Sequence, residues 1–152
     1  MTIDEFKIEH FKAKFPDREF PVVHTVLPEK CSELKQMLAE KLGLAPDISP
    51  LGLLESLYDS FRTEQVGIST TDPNFDLSSL LKDSGIKTPL QVFINWDQFG
   101  HVNEIRFTDF VKYFDYFCYP VSDDIEVFDD TFLWVVLIRH DGAVRVLHSK
   151  RP

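Results

Sequence analysis

Thr131 to His148 reads TFLWVVLIRHDGAVRVLH, and this stretch decides the fold. The run from Thr131 to Arg139 is apolar at successive positions, the pattern of a strand buried on both faces. His140-Asp141-Gly142 follows, and Asp-Gly between two apolar runs is the strongest short-range hairpin signal. The returning run, Ala143 to His148, alternates Val144 and Val146 against Arg145 and Leu147. An antiparallel hairpin therefore closes the chain, with Trp134 expected in the core.

Working outward, Ile125 to Phe128 reads as a short strand. LQVFINW, Leu90 to Trp96, follows Thr88-Pro89 and is apolar on both alternating faces apart from Gln91 and Asn95. It reads as a central strand. Asp97 to Asn103 is a polar connection containing Gly100. Thr108 then caps a helix with Phe110, Val111, Phe114 and Phe117 on its inner face and Tyr113 and Tyr116 on the other. Tyr119-Pro120 ends it. The C-terminal half thus reads β-α-β-β-β.

The N-terminal half is expected to be mainly helical. Thr2 with Glu5 forms a capping box, and Ile3, Phe6, Phe11 and Phe15 make a helical stripe over 3–14. Glu19 to Leu27 is rich in β-branched residues, with Pro21 marking an edge or strand start. Ser32 caps a helix carrying Leu34, Met37, Leu38 and Leu42, stopped by Gly43. Ser49-Pro50 opens another, with Leu51, Leu54, Leu57, Tyr58 and Phe61 along one face. The stretch 67–74 is a loop, and Asp76 caps a short helix, Leu77 to Lys82, before Gly85. The class is α+β, with a mostly antiparallel sheet packed by helices. One domain spans 1–152, divisible into a helical part over 1–66 and a sheet-rich part over 87–150.

Charge narrows the function. The 152 residues carry a net charge of -9. That balance argues against nucleic acid or an anionic membrane as partner. No apolar run approaches the ~20 residues of a membrane span, and the first residues lack a basic region followed by an apolar run. A soluble, cytoplasmic protein is expected. Cys31 and Cys118 lie far apart and read as two reduced thiols. Asp115 to Asp130, DYFCYPVSDDIEVFDD, holds six carboxylates and no Lys, Arg or His. They are Asp115, Asp123, Asp124, Glu126, Asp129 and Asp130, interleaved with Tyr116, Phe117, Tyr119 and Phe128.

Chemical motifs are scarce. Asp123, Asp124 and Glu126 could offer oxygens to a divalent cation, but the glycine of a calcium loop is missing between Asp115 and Asp130. The metal-dependent nuclease pattern needs a Lys two positions after an acidic strand residue, where Glu126-Val127-Phe128 has none. The five histidines show no HExxH spacing. His140 beside Asp141 is a dyad by composition and a turn by position. No GxSxG and no phosphate-binding glycine loop occurs. The sequence therefore reads as no enzyme, with no cofactor and no metal. An acidic surface with tyrosine anchors suits a basic protein partner, since charge complementarity speeds encounter and aromatics supply contact energy.

From INWDQF, Ile94 to Phe99, through FVKYFDYFCYPVSDDIEVFDDTFLWVVLIRHDG to Gly142, the chain resembles small bacterial proteins of polymorphic-toxin and contact-dependent-inhibition systems. The shared features are an aromatic-acidic helix, Tyr-Pro followed by Ser-Asp-Asp, and a Trp-containing strand running into His-Asp-Gly. The resemblance covers about the last third of the chain. It implies an immunity protein that binds and neutralises a cognate toxin domain. The expected partner-binding residues are Asp115, Tyr116, Tyr119, Asp123, Asp124, Glu126, Asp129 and Asp130. Two alternatives are an accessory or scaffold domain that self-associates through a sheet edge, and a small enzyme with an acidic metal site.

Overall fold

The computed structural model describes residues 3–63, 68–119 and 122–148, with backbone alone over 60–63. Its centre is a six-stranded, wholly antiparallel sheet in the order β1-β3-β2-β4-β5-β6. The strands are β1 (Val23–Thr25), β2 (Gln91–Asp97), β3 (His101–Arg106), β4 (Ile125–Phe128), β5 (Trp134–Ile138) and β6 (Val144–His148). The helices are α1 (Glu5–Lys14), α2 (Pro28–Lys41), α3 (Pro50–Thr63), α4 (Leu77–Asp83), α5 (Phe107–Lys112) and α6 (Phe114–Phe117).

Because β2, β4 and β5 are interior strands, alternate residues feed two separate cores. Val92, Ile94, Ile125, Val127, Trp134, Val136 and Ile138 point to one face, where α4, α5 and α6 bring Leu77, Leu81, Phe110 and Phe117. Phe93, Phe128, Val135 and Leu137 point to the other, where α2 and α3 bring Leu34, Leu38, Leu53 and Leu57. Helices thus cover both sides of one sheet.

Several local signals act as the sequence predicts. Gly43 and Gly85 each follow a helix with φ +76° and +77°. In both, paired backbone bonds close the end: Gly43 and Leu44 N–H donate to Glu40 and Ala39, and Gly85 and Ile86 N–H donate to Lys82 and Leu81. Ser49 Oγ accepts from Gly52 N–H at 3.0 Å, and Asp76 accepts from Ser78 and Ser79 N–H. Gly142 takes φ +91° in the last hairpin, where a Cβ would stand 2.8 Å from Ser69 Oγ.

Three readings change. The polar connection after β2 is a tight turn into β3, a strand that the sequence reading folds into loop and helix cap. The strand read over 19–27 shrinks to Val23–Thr25, which pairs with β3. The N-terminal half is thereby only partly helical, since it contributes an edge to the sheet. The helix after Thr108 breaks at Tyr113, giving α5 and α6. The capping residue Thr2 lies outside the described residues; α1 starts after Asp4, whose side chain makes no cap bond.

Candidate protein-binding site

The acidic stretch divides over the two faces of the sheet. On the first face, α6 and the following segment pack under α1. Asp115 is exposed, while Tyr116 and Tyr119 are half-buried. The Tyr116 ring lies 5.0 Å from His10 and 5.5 Å from Phe15, and the Tyr119 hydroxyl is 2.7 Å from His10 Nδ1. The outward face expected for Tyr116 is thus half covered by α1. Asp115 and Tyr116 border a 270 Å³ depression whose far wall is Thr70–Asp76.

Asp123 is held by a residue that sequence reasoning passed over. Lys7 is 2% exposed. Its Nζ donates to Asp123 Oδ2 at 2.8 Å and to the Phe117 carbonyl at 2.7 Å. The same ammonium stands 4.4 Å from the Trp96 ring centroid and 5.1 Å from that of Tyr119. Asp123 also accepts from Tyr119 N–H at 2.7 Å. A signal was present: Lys7 and Phe11, at i and i+4, form the buried row of α1, and Ile3 just before the helix keeps the same spacing, so Lys7 occupies a core position.

On the second face lies a buried polar chain. Glu126 is part of β4, which is flanked on both sides by strands, so all four of its residues are buried. Its carboxylate accepts from Arg139 Nη1 at 2.8 Å and from Asn95 Nδ2 at 2.7 Å. Asn95 Oδ1 in turn accepts from Phe99 N–H at 2.8 Å. That bond steadies an unusual turn: Gln98 and Phe99 have φ +42° and +61°, left-handed values that a bulky residue adopts at a cost. Phe99 is buried beside Phe128. Burial pushes the Glu126 carboxyl above its ordinary value, opposed by Arg139 and by the bonds from Arg139 and Asn95.

The remaining carboxylates are local. Asp124, exposed, accepts from His140 N–H at 2.7 Å and lies 3.0 Å from His140 Nδ1. Asp129 is buried and accepts from Thr131 N–H and Oγ1, which closes the β4–β5 turn. Asp130 is exposed. The expectation that all six carboxylates face solvent is therefore corrected. Asp115, Asp124 and Asp130 do, whereas Glu126 and Asp129 are turned inward by an interior strand and its turn, and Asp123 is committed to Lys7.

The structure gathers a site that no linear stretch contains. At one end of the sheet, α3 leans over the β2–β3 turn and leaves a cavity of about 330 Å³. Leu51, Leu54, Glu55 and Tyr58 form its helical wall, and Trp96, Asp97 and Gln98 its strand wall. Asp124, Glu126 and Arg139 complete the lining. The guanidinium of Arg139 stacks on Tyr58, 4.1 Å from the ring centroid. Burial pushes the Tyr58 hydroxyl above its ordinary value, with Arg139 opposing and Asp124, Glu126 and Asp141 adding to the rise. Beyond Trp96 and Asp97 lies a second cavity of 210 Å³, bordered by Asp4, Lys7, His101 and Asp123.

Elsewhere, Cys31 and Cys118 are free and buried. Burial pushes the Cys118 thiol up to about 12, so it stays protonated at neutral pH. Among the described residues no three His, Cys, Asp or Glu side chains converge to hold a metal ion, and no helix is long and apolar enough to cross a membrane. No protein family, curated protein or solved structure matches the chain.

Proposed function

We propose that this protein acts by binding a basic protein partner, in the manner of an immunity protein that blocks a toxin domain, and that the cavity between α3 and the β2–β3 turn is the centre of its contact surface. One observation carries the reading. Among the described residues the cavity lining holds four carboxylates, Glu55, Asp97, Asp124 and Glu126, against one guanidinium, Arg139, already paired with Glu126. Tyr58, Trp96 and Leu51 supply aromatic and apolar area among those charges, and Leu51 and Tyr58 are exposed. Aromatic anchors ringed by charge are the composition of an interface hot spot. Asp115, Tyr116 and Asp130 lie outside this centre.

Self-association through a sheet edge gains less support. The β1 edge is three residues long, and the start of β6 is covered by the Ser69–Ala143 bridge. Short and covered edges are how sheets avoid pairing.

On this reading the neighbouring upstream gene is expected to encode a large secreted protein with a basic C-terminal toxin domain, and the test uses that domain as partner. Replacing Glu55, Asp97 and Asp124 together by Gln, Asn and Asn should slow association about tenfold at low salt and flatten its salt dependence. An unchanged salt slope would remove this face as the interface.

A further inference from the structure

Arg139 is only partly used by the contacts around it. It is 6% exposed, and its Nη1 is taken by Glu126. Its Nε and Nη2 are buried and have no hydrogen-bond partner among the described residues. Buried donors left unmet are costly, and they are rare in a finished core. Here they belong to the one cation that lines the acidic cavity among the described residues, roofed by a tyrosine that is 38% exposed.

Two demands must be met by whatever enters. The spare donors require an acceptor oxygen. The surrounding Glu55, Asp97 and Asp124 require positive charge and repel a free carboxylate or phosphate. A neutral carbonyl oxygen together with a cation meets both, and an arginine or lysine within a peptide chain carries both.

We infer that the cavity receives a basic residue of the partner's chain at two points, its main-chain carbonyl on Arg139 and its side-chain cation among Glu55, Asp97 and Asp124. This rests on the basic-partner reading and names the group recognised. Arg139 would be a reader of the partner's backbone, Glu126 its positioning residue, and the Tyr58 ring a cover that turns aside as the carbonyl arrives. The strained Gln98-Phe99 turn, tied to Glu126 through Asn95, sets the height of the Asp97 wall.

Nitrogen-15 NMR of the whole protein tests this, reading the Arg139 Nε–H and Trp96 indole resonances. The probes are Nα-acetyl-argininamide, methylguanidinium, N-acetylglycinamide and acetate. Nα-acetyl-argininamide should shift both resonances saturably and bind about fivefold tighter than methylguanidinium, the worth of one net hydrogen bond. Arg139→Lys keeps a cation for Glu126 and removes the spare donors, so it should abolish that preference. Glu55→Gln with Asp124→Asn, both on the surface, should weaken binding of both cationic probes whether or not the Arg139 variant folds. Tighter binding of acetate, equal binding of the two cationic probes, or no saturable shift with any probe would overturn the inference. If the probes fail while the basic toxin domain still binds with its salt slope, the pocket assignment falls and the basic-partner reading stands. Loss of both would remove both.

Discussion

Two buried cations meet the same acidic stretch, one on each face of the sheet, and they are treated differently. Lys7 reaches Asp123 from α1, and Arg139 reaches Glu126 from the end of β5. Lys7 is fully occupied by a carboxylate, a carbonyl and two aromatic faces. Arg139 has one carboxylate, one aromatic face and two donors without partners among the described residues. The first arrangement is a closed latch that fastens a helix. The second borders a cavity, with its two spare donors buried. Carboxylates three residues apart in sequence thus fasten a helix in one place and, in the reading proposed above, support recognition in the other, and only the geometry separates the roles.

The comparison breaks most sharply when each cation is deleted. Arg139→Ala strands Glu126 in an interior strand, and removing one partner of a buried pair costs about 4 kcal/mol. Lys7→Ala should cost less, about 3 kcal/mol, because Asp123 retains the Tyr119 N–H bond and some contact with water. Denaturant unfolding of both variants measures this. Hydrogen exchange should show the Lys7 variant losing protection in α1 first, since that helix is otherwise held by side-chain packing of Ile8 and its aromatic residues. Equal loss of protection across the sheet would mean that Lys7 is no latch.

How much of this was legible in the sequence follows from the same contrast. The last hairpin, the glycine helix stops and the Ser49 and Asp76 caps were readable because each is set by neighbouring residues. β3 was not. HVNEIR mixes Asn103 and Glu104 into its alternation, and the turn before it uses Gln98 and Phe99 where glycine or asparagine would announce a hairpin. Its left-handed backbone is held by a local bond to Asn95, whose amide is placed by Glu126 of β4, and by the burial of Phe99, and both placements are tertiary effects. The site escaped for a similar reason. Its walls come from α3, β2, β4 and β5, and a count of charges along Asp115–Asp130 gives no sign that β4 would be interior. The expected stripe of α3 contained part of the answer: Leu57 is buried, whereas Leu51 and Tyr58 are exposed and line the cavity.

A pH measurement sharpens the open side. Burial raises Glu126 above its ordinary 4.5, so the folded chain keeps this proton to higher pH than the unfolded chain. Within that window the folded state binds more protons, and stability falls as pH rises through the folded value. The contribution is fully present below 4.5 and lost above the raised value. Glu126→Gln has no proton to lose. Its unfolding free energy should follow a flatter pH profile above 4.5 than that of the parent chain. An unchanged profile would mean that Arg139 holds Glu126 ionised throughout, which would make the second pair as closed as the first.

The smallest effect on stability should come from the residues proposed to matter most for binding. Glu55 and Asp124 are exposed, and among the described residues Asp124 is hydrogen-bonded to His140. Asp124→Asn keeps an acceptor for the His140 N–H, so with Glu55→Gln the stability should stay within about 0.5 kcal/mol of the parent, as for ordinary surface substitutions. The same double variant should lose most of the salt dependence of association with a basic partner. A large drop in stability would place Asp124 with Asp123 as a structural carboxylate, and the division between latch and open site would move by one residue. Unchanged stability with a flattened salt slope is what a surface held ready by a rigid sheet requires, because such a surface can lose its charge without losing its shape.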